Sequence, residues 1–481
     1  MRLLAEAARA AGNALLAPTR LTDIGAAGQW RRALIVGSRD QRIIHNVIGE
    51  LRRVAPGIAV DTPGLGSKGR YDVICLILTG EGLRGEKARA LLSGARVILA
   101  YGADGRCYQA HLPPVRIASP SWWGRLWLAV AMSGLYEAVT ATILLFDVLL
   151  RLVPASRPGA SPGSPDGRTV TFIVPNYNQR HLMDFCLPPL LAEAGDRHRV
   201  LVVDDASTDD TVAYLRASYP QVRVVALSRN QGFGGAVRAG IAASDTPLFA
   251  LINTDVQVRP GWLAVILPHF DRPDTFAVCS RIDLPGGSQM ETGNVAAAWS
   301  GILEPYHVPP ARPGPILYAG GASSVYDRAK YDALGGFETV YRPMYFEDIE
   351  LGYRAWRRGW RSLFEPNASV YHQRRAWIGA RFNDAQASET FLRNGLLFVW
   401  KNVRDPVMLA QNCAYVCTRL VREVLGGEGT MARAFLRALP LLARMLMRRW
   451  HDHRRGDLSD HDILMLARPA AAAESVERGA R

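Results

Sequence analysis

Lysine is nearly missing from this chain. Lys68, Lys87, Lys330 and Lys401 are its only lysines, so the net charge of +13 over 481 residues is carried by arginine. That excess suits phosphates, anionic lipid or nucleic acid. Neither a nucleic-acid recognition motif nor an aromatic platform accompanies the arginines, and a nucleic-acid partner is not expected. Cysteine is also scarce. The six are scattered and only Cys413 and Cys417 lie close, which excludes a disulfide framework or thiolate metal spacing and points to reduced thiols in a cytosolic compartment. The first strand-like run, Ala33 to Val36, ends in Gly37-Ser38-Arg39 without the further glycines of a dinucleotide fingerprint. Met1 to Arg20 contains Glu6 and Arg9 inside its apolar stretch, which spoils a secretory core. There is no internal repeat. With 48% apolar and 21% charged residues the chain is globular, and its length asks for two or three domains.

What is present divides into segments. Residues 1–30 read as an amino-terminal helix, and 31–120 as a small α/β domain with strands near Ala33–Val36, Tyr71–Leu78 and Arg96–Tyr101. Residues 121–153 form the longest apolar stretch. About nine Leu, Ile, Val and Phe residues there gain roughly 0.3–0.6 kcal/mol each on insertion, while Glu137 and Asp147 cost about 2.5 each, so the sum is near zero. Glu137, Thr140, Asp147 and Arg151 recur on one helical stripe and Leu135, Val139, Ile143, Phe146 and Leu150 on the other, which favours an interfacial or domain-packing helix pair over a span. The run 154–168, PASRPGASPGSPDGR, is a linker. A larger α/β unit occupies 169–405, a helical region 406–450, and a tail 451–481. In the helical region Arg433, Arg437, Arg444 and Arg448 share a stripe beside Phe435, Leu439, Leu442 and Leu446, with a kink at Pro440. Such a helix suits either an anionic bilayer surface or packing on the larger unit.

Three carboxylate-bearing stretches stand where a buried strand would run out: Val200–Asp205, Leu248–Asp255 and Tyr345–Leu351. Apolar runs of this kind read as strands of a parallel sheet covered on both faces, whose ligands bind at the carboxyl ends. Acids at that edge converge on one cleft. A cleft of acids that accepts an anionic nucleotide needs a divalent cation between the two.

In order and spacing, TVTFIVPNYN at Thr169–Asn178, VLVVDDASTDDT at Val200–Thr211, NQGFGGAVRAGI at Asn230–Ile241, NTD at Asn253–Asp255 and FEDIELGYRAWRRGW at Phe346–Trp360 resemble the family 2 glycosyltransferases, in particular bacterial rhamnosyltransferase-like members. The resemblance covers about half of the chain and leaves the amino-terminal domain aside. It implies a Rossmann-like α/β catalytic domain of the GT-A type with a mixed, mainly parallel sheet, beside the smaller amino-terminal α/β domain and flanking amphipathic helices. It places Pro175, Asn176 and Tyr177 around the nucleobase, with Asp205 accepting from the base N3 hydrogen. Asn230, Gly232, Gly234 and Asn253 fall on the nucleotide-sugar side, and Arg238 stands where the family often has asparagine. Asp255 and His372 become the ligands of a Mn2+ or Mg2+ ion. Asp348, with Glu347, becomes the general base, since an acceptor hydroxyl is a poor nucleophile until a carboxylate takes its proton.

The expected activity is inverting transfer of a sugar, with rhamnose from dTDP-rhamnose first, from a nucleotide-diphosphate donor to a surface polysaccharide or lipid-linked glycan. The catalytic part would work in the cytoplasm, peripheral on the cytoplasmic face of the inner membrane. Arg374 and Arg375 are candidates to assist the leaving diphosphate. Two alternatives stay open: another UDP- or GDP-sugar donor, and a non-catalytic nucleotide- or glycan-binding assembly partner, the latter because Asn253 replaces the first acid of the usual metal triplet.

Overall fold

The computed structural model describes residues 16–18, 32–36, 59–61, 73–78, 97–102, 107–110, 120–153, 162–163, 167–286, 289–290, 294–297, 304–307, 312–373, 384–453 and 458–467. They fall into two compact units, one of 1–142, 299–301 and 407–433, the other of 143–298, 302–406 and 434–481.

In the first unit six short strands, β1 (Leu16–Pro18), β2 (Arg32–Val36), β3 (Ala59–Asp61), β4 (Val73–Leu78), β5 (Val97–Gly102) and β6 (Cys107–Ala110), make one sheet in the order β1-β6-β5-β4-β2-β3. The run β5-β4-β2-β3 is parallel and the β1-β6 edge antiparallel. The strands expected from the apolar runs are there. Leu16–Pro18, expected within a helix, is an edge strand instead, and the remainder of residues 1–30 lies outside the described residues.

The apolar stretch forms one continuous helix, α1 (Pro120–Leu152), rather than a helix pair. No proline interrupts it after its first residue, and Gly124 and Gly134 are each tolerated in a helix at about 1 kcal/mol. Ala129, Met132, Tyr136, Val139, Ile143 and Leu150 make its buried stripe, with the Tyr136 hydroxyl bonded to Asn412 on the first unit's other described helix, Pro406–Gly426. Leu135, expected on that stripe, is exposed, and Thr140, expected on the polar one, is buried with its hydroxyl donating to the Tyr136 carbonyl. The helix is long and apolar enough to cross a bilayer by length and composition, and a third of its most apolar window is buried.

The second unit is built on a mixed sheet. Its strands are β7 (Val170–Asn176), β8 (Arg199–Asp204), β9 (Arg223–Ala226), β10 (Leu248–Ile252), β11 (Val256–Val258), β12 (Thr275–Asp283), β13 (Gln289–Met290), β16 (Gly314–Ile316), β17 (Ser323–Asp327) and β18 (Arg361–His372), while β14 (Asn294–Ala297) and β15 (Glu304–His307) form a separate hairpin. The order is β11-β18-β12-β17-β10-β7-β8-β9, with β13 on β12 and β16 on β18. Strands β10, β7, β8 and β9 run parallel. Their residues are apolar without alternation, Val170 to Val174 and Leu248 to Ile252 being buried throughout, as strands covered on both faces must be. Phe172, Val202, Leu190 and Trp262 fill one face, and Ile173, Leu201, Phe249 and Tyr326 the other.

Helices α2 (Met183–Ala194), α3 (Thr211–Ser218) and α4 (Phe233–Ala243) follow β7, β8 and β9, and α5 (Trp262–Ile266) and α6 (Arg328–Leu334) come later. The third acid-bearing stretch departs from expectation: Tyr345–Leu351 follows a loop, not a strand, and opens helix α7 (Glu347–Arg357). Ile349, Tyr353 and Trp356 are buried there at helical spacing. After α7 the chain continues through α8 (Asp384–Asn402), α9 (Pro406–Gly426), α10 (Thr430–Ala438), α11 (Leu442–His451) and α12 (Asp460–Leu466). The expected kink is a short 3-10 turn at Leu439–Leu441 around Pro440. The linker 154–168 and residues Arg374 and Arg375 lie largely or wholly outside the described residues.

Candidate active site

Strands β7, β8 and β10 end side by side, so the residues that follow them meet. Asn176 closes β7, and its Nδ2 donates to Asp204 Oδ1 at 2.9 Å and to the Ser207 hydroxyl at 3.2 Å. Asp204 also accepts from the Ser207 amide at 3.0 Å, so it serves as the turn acid of this loop. The Asp205 amide donates to the Asn176 carbonyl, and the Asp205 carboxylate accepts from the amides of Gln231 and Gly232 at 2.6 and 2.8 Å. Each Asp205 oxygen is thus already engaged by the glycine-rich turn. A carboxylate oxygen accepts more than one bond, so a further donor can still be met. Burial pushes the Asp205 carboxyl up, against the pull of those two amides and of the Arg342 charge. Asn230 is exposed and donates to the Asp205 carbonyl. Gly232 has φ +73°, the left-handed region that glycine tolerates, and starts α4. Pro175 and Tyr177 are half-buried on either side of Asn176.

Asn253 and Thr254 follow β10. The Asn253 amide donates to the Ala322 carbonyl, and the Thr254 hydroxyl is bonded to Gln179. Strand β11 pairs with β18 so that Val256 faces His372, and this register brings His372 Nε2 to 3.1 Å from Asp255 Oδ2. The Gln373 amide closes the link by donating to the Asp255 carbonyl. His372 is buried and its Nδ1 has no hydrogen-bond partner among the described residues. Two adjacent ligands of an octahedron with bonds of about 2.1 Å stand about 3.0 Å apart, so a carboxylate oxygen and an imidazole nitrogen at this separation fit one divalent cation. Among the described residues no cluster of three or more His, Cys, Asp or Glu exists, and this pair supplies two ligands at most.

Glu347 and Asp348 begin α7 after two consecutive non-glycine residues in the left-handed region, Tyr345 at φ +72° and Phe346 at +76°. Such conformations cost of order 1–3 kcal/mol each and persist only where the surroundings impose them. Here Asn394 imposes them, its Nδ2 reaching the carbonyls of Tyr341, Met344 and Tyr345 at 2.8, 2.9 and 3.0 Å. Behind α7, buried Glu350 accepts from Arg354 at 2.7 and 2.8 Å and from Lys401 at 2.6 Å, and Arg357 and Tyr353 both bind Asp460. Glu350 spaced four residues before Arg354 was the signal for part of this network. Glu347 is half-buried as a residue, but its Oε2 is out of solvent with no partner among the described residues. Burial first, then the Asp348 charge, push its carboxyl up to about 8.

Glu347 also lines an open cleft, together with Gly234, Arg238, Phe337, Glu338, Arg342 and Pro343. The Gly320–Ala322 loop ties the parts together, since a side chain at Gly321 would meet the Phe233 ring at the start of α4 while Ala322 holds Asn253. Asp348 lies close enough to β17 for its charge to act on the Tyr326 hydroxyl, which burial already pushes well up. Arg342, which the motifs did not mark, sits over the glycine-rich turn.

Residues 171–335 match the family described as glycosyl transferase family 2. This chain carries a family 2 glycosyltransferase domain. Its mixed, mainly parallel sheet with helices on both faces is an α/β fold of the GT-A type. The domain is similar to the N-acetylglucosaminyl-diphospho-decaprenol L-rhamnosyltransferase of Mycobacterium tuberculosis, 30% identical over 206 residues, 36% of this chain and 66% of that one. It is also similar to the succinoglycan biosynthesis protein ExoO of Rhizobium meliloti, 36% identical over 116 residues, 24% of this chain and 33% of that one. The chain therefore spans between a third and just under two thirds of the length of these relatives. Among solved structures, the mannosyltransferase PcManGT of Pyrobaculum calidifontis in complex with GDP-Man and Mn2+ aligns over 68% of this chain and 97% of its own, with 16% identity and a TM-score of 0.39.

Proposed function

We propose that the chain is an inverting, metal-dependent sugar transferase that moves a hexose, first of all rhamnose from dTDP-rhamnose, onto a hydroxyl of a lipid-linked or surface glycan. The observation that carries this reading is that Asp205 engages the glycine-rich turn whose Gly234 lines one cleft with Glu347, next to Asp348, while Asp255 pairs with His372 just after the neighbouring strand β10. Asp205, placed beside Asn176, Tyr177 and the Gly232 turn, is suited to accept from a base that presents an N3 hydrogen, which uracil and thymine have. Asp255 and His372 would hold the Mn2+ or Mg2+ ion, which when bound neutralises charge on the donor diphosphate. Asp348, at a helix start held rigid from behind, takes the proton of the acceptor hydroxyl as the new bond forms. A base opposite the departing diphosphate gives inversion without a covalent intermediate. The printed name of the Mycobacterium tuberculosis relative supports both a rhamnosyl donor and an acceptor on a lipid diphosphate.

Contact with the cytoplasmic face of a membrane belongs to the same reading. On α1, Trp127 is 71% exposed and Leu128, Leu145, Val148, Leu149 and Leu152 are exposed beside it. Arg433, Arg437, Arg444 and Arg448 are exposed among Leu436, Met447 and Trp450, a pattern suited to anionic headgroups. Asn253 in place of an acid favours a second, binding-only reading, and Asp255 with His372 speaks against it.

The test is incubation of purified protein with a panel of dTDP-, UDP- and GDP-sugars, with and without Mn2+, followed by release of the nucleoside diphosphate. The reading requires metal-dependent release from at least one donor. Binding of a nucleotide sugar with no release from any would turn the assignment to the non-catalytic partner.

A further inference from the structure

Two arginines stand in one cleft beside the glycine-rich turn. Arg238 and Arg342 line the same cleft, and among the described residues neither guanidinium forms an ion pair with an acid. Nε of Arg238 is buried without a partner. Arg342 is exposed at the surface of the cleft, its guanidinium standing over the backbone of Gly235, where the missing side chain leaves it room: a Cβ there would come to 3.2 Å of it. The loop that presents Arg342 is fixed, since Asn394 binds the carbonyls on both sides of it and Arg393 donates to the carbonyls of Val340 and Arg342. Without an ion-pair partner among the described residues, Arg238 and Arg342 suit an anion, because arginine's fork matches phosphate and carboxylate oxygens, and the acid beside them, Glu338, is already paired with Lys401 and Arg448.

We propose that the cleft between α4 and the Phe337–Pro343 loop binds a phosphate or diphosphate carried by the acceptor close to its reacting hydroxyl, with Arg238 and Arg342 as ligands and Glu347 in its wall. This rests on the transferase reading and deepens it. In the transferase reading the donor diphosphate would take its counter-charge from a divalent ion held at Asp255 and His372, neither of which lines the cleft. A second cationic centre calls for a second anion. The cleft is walled by Glu347, next to Asp348, so an anion there lies on the side where the proton is taken up. Burial and its neighbour's charge push the Glu347 carboxyl up, which favours the form that donates to an oxyanion over the one that repels it.

The test is equilibrium binding of farnesyl diphosphate, farnesol, dTDP and UDP to the full chain, with Mn2+ present, for the parent, Arg342→Gln, Arg238→Gln and Arg342→Lys. The proposal expects each glutamine variant to lose about 10-fold or more in farnesyl diphosphate affinity, as for loss of a charge-assisted bond, with farnesol and both nucleotides within about twofold of the parent. Arg342→Lys should recover part of the loss. An equal loss for the nucleotides assigns the cleft to the donor and overturns the proposal, as does an unchanged affinity for farnesyl diphosphate or its failure to bind the parent. If dTDP and UDP do not bind the parent at all, the transferase reading fails by itself, and the farnesyl diphosphate results still judge the cleft.

Discussion

Gly352→Ala tests how tightly α7 is seated, because the helix that carries Asp348 touches the chain beneath it at this residue. An added Cβ would stand 2.6 Å from the Leu317 carbonyl oxygen, 2.7 Å from Tyr318 Cβ and 2.8 Å from Tyr318 Cα. Ordinary contact begins at 3.4 Å, so the helix would have to withdraw by 3.4 − 2.6 = 0.8 Å. It has nowhere to go, since Glu350, Arg354 and Lys401 form a buried ion network on its other side. Overpacking of this kind costs about 1–3 kcal/mol. Alanine's better helix propensity returns at most about 1 kcal/mol. The net loss of up to about 2 kcal/mol corresponds to a fall in Tm of up to about 8 °C for a unit of this size. Activity should suffer more, because a shift of about 1 Å at a reacting group can cost about 100-fold. Thermal unfolding and donor turnover measured together decide it: kcat should drop far more than donor affinity. A Gly352→Ala protein with the parent's Tm and kcat would refute the claim that α7 is wedged in place.

Three further outcomes follow from the same geometry. Glu347 holds its proton in the folded state from the ordinary glutamate range up to about 8, whereas the unfolded chain releases it earlier, so its burial erodes stability as pH rises through that window. Glu347→Gln should therefore flatten the decline of Tm between pH 5 and 8, and an unchanged slope would contradict the buried acid. Asp255→Ala should weaken Mn2+-dependent donor binding by about 10-fold or more, read by titration with and without the metal; equal binding in both conditions would remove Asp255 from the metal site. Asp147 neutralises Arg449, which is fully buried and also donates to the carbonyls of Trp400 and Val403. Asp147→Asn should cost about 3–5 kcal/mol in denaturant unfolding, and a loss under 1 kcal/mol would mean that the pair is not buried in solution.

Features set by local sequence were legible. The apolar runs around Val170–Val174, Val200–Val203 and Leu248–Ile252 announced central parallel strands, and the residues after them do gather at one end. The helical spacing of Ile349, Tyr353 and Trp356 announced α7, and Pro440 the break between α10 and α11. His372 could be set beside Asp255 only through the family resemblance; the structure supplies the reason, the pairing of β11 with β18. Features that depend on distant partners were not legible. Asp147 read as part of a polar stripe because its partner Arg449 lies 302 residues away. That Asp205 is tied to the Gln231 and Gly232 amides, and that Arg342 arrives over Gly235, depend on loop packing that no periodicity encodes. Tyr345–Leu351 reads as the end of a buried strand with a helix start at Asp348; the helix is there, but left-handed turns at Tyr345 and Phe346 rather than a strand lead into it.

Asp348→Asn puts the central claim to its most direct measurement. The carboxamide keeps the size of the side chain and cannot accept the acceptor's proton. Single-turnover transfer from the donor identified by the panel should fall by about 100-fold to 10,000-fold, with donor affinity within about twofold of the parent. Transfer at the parent rate by Asp348→Asn would contradict the account, because the proton of the incoming hydroxyl would then be leaving by another route.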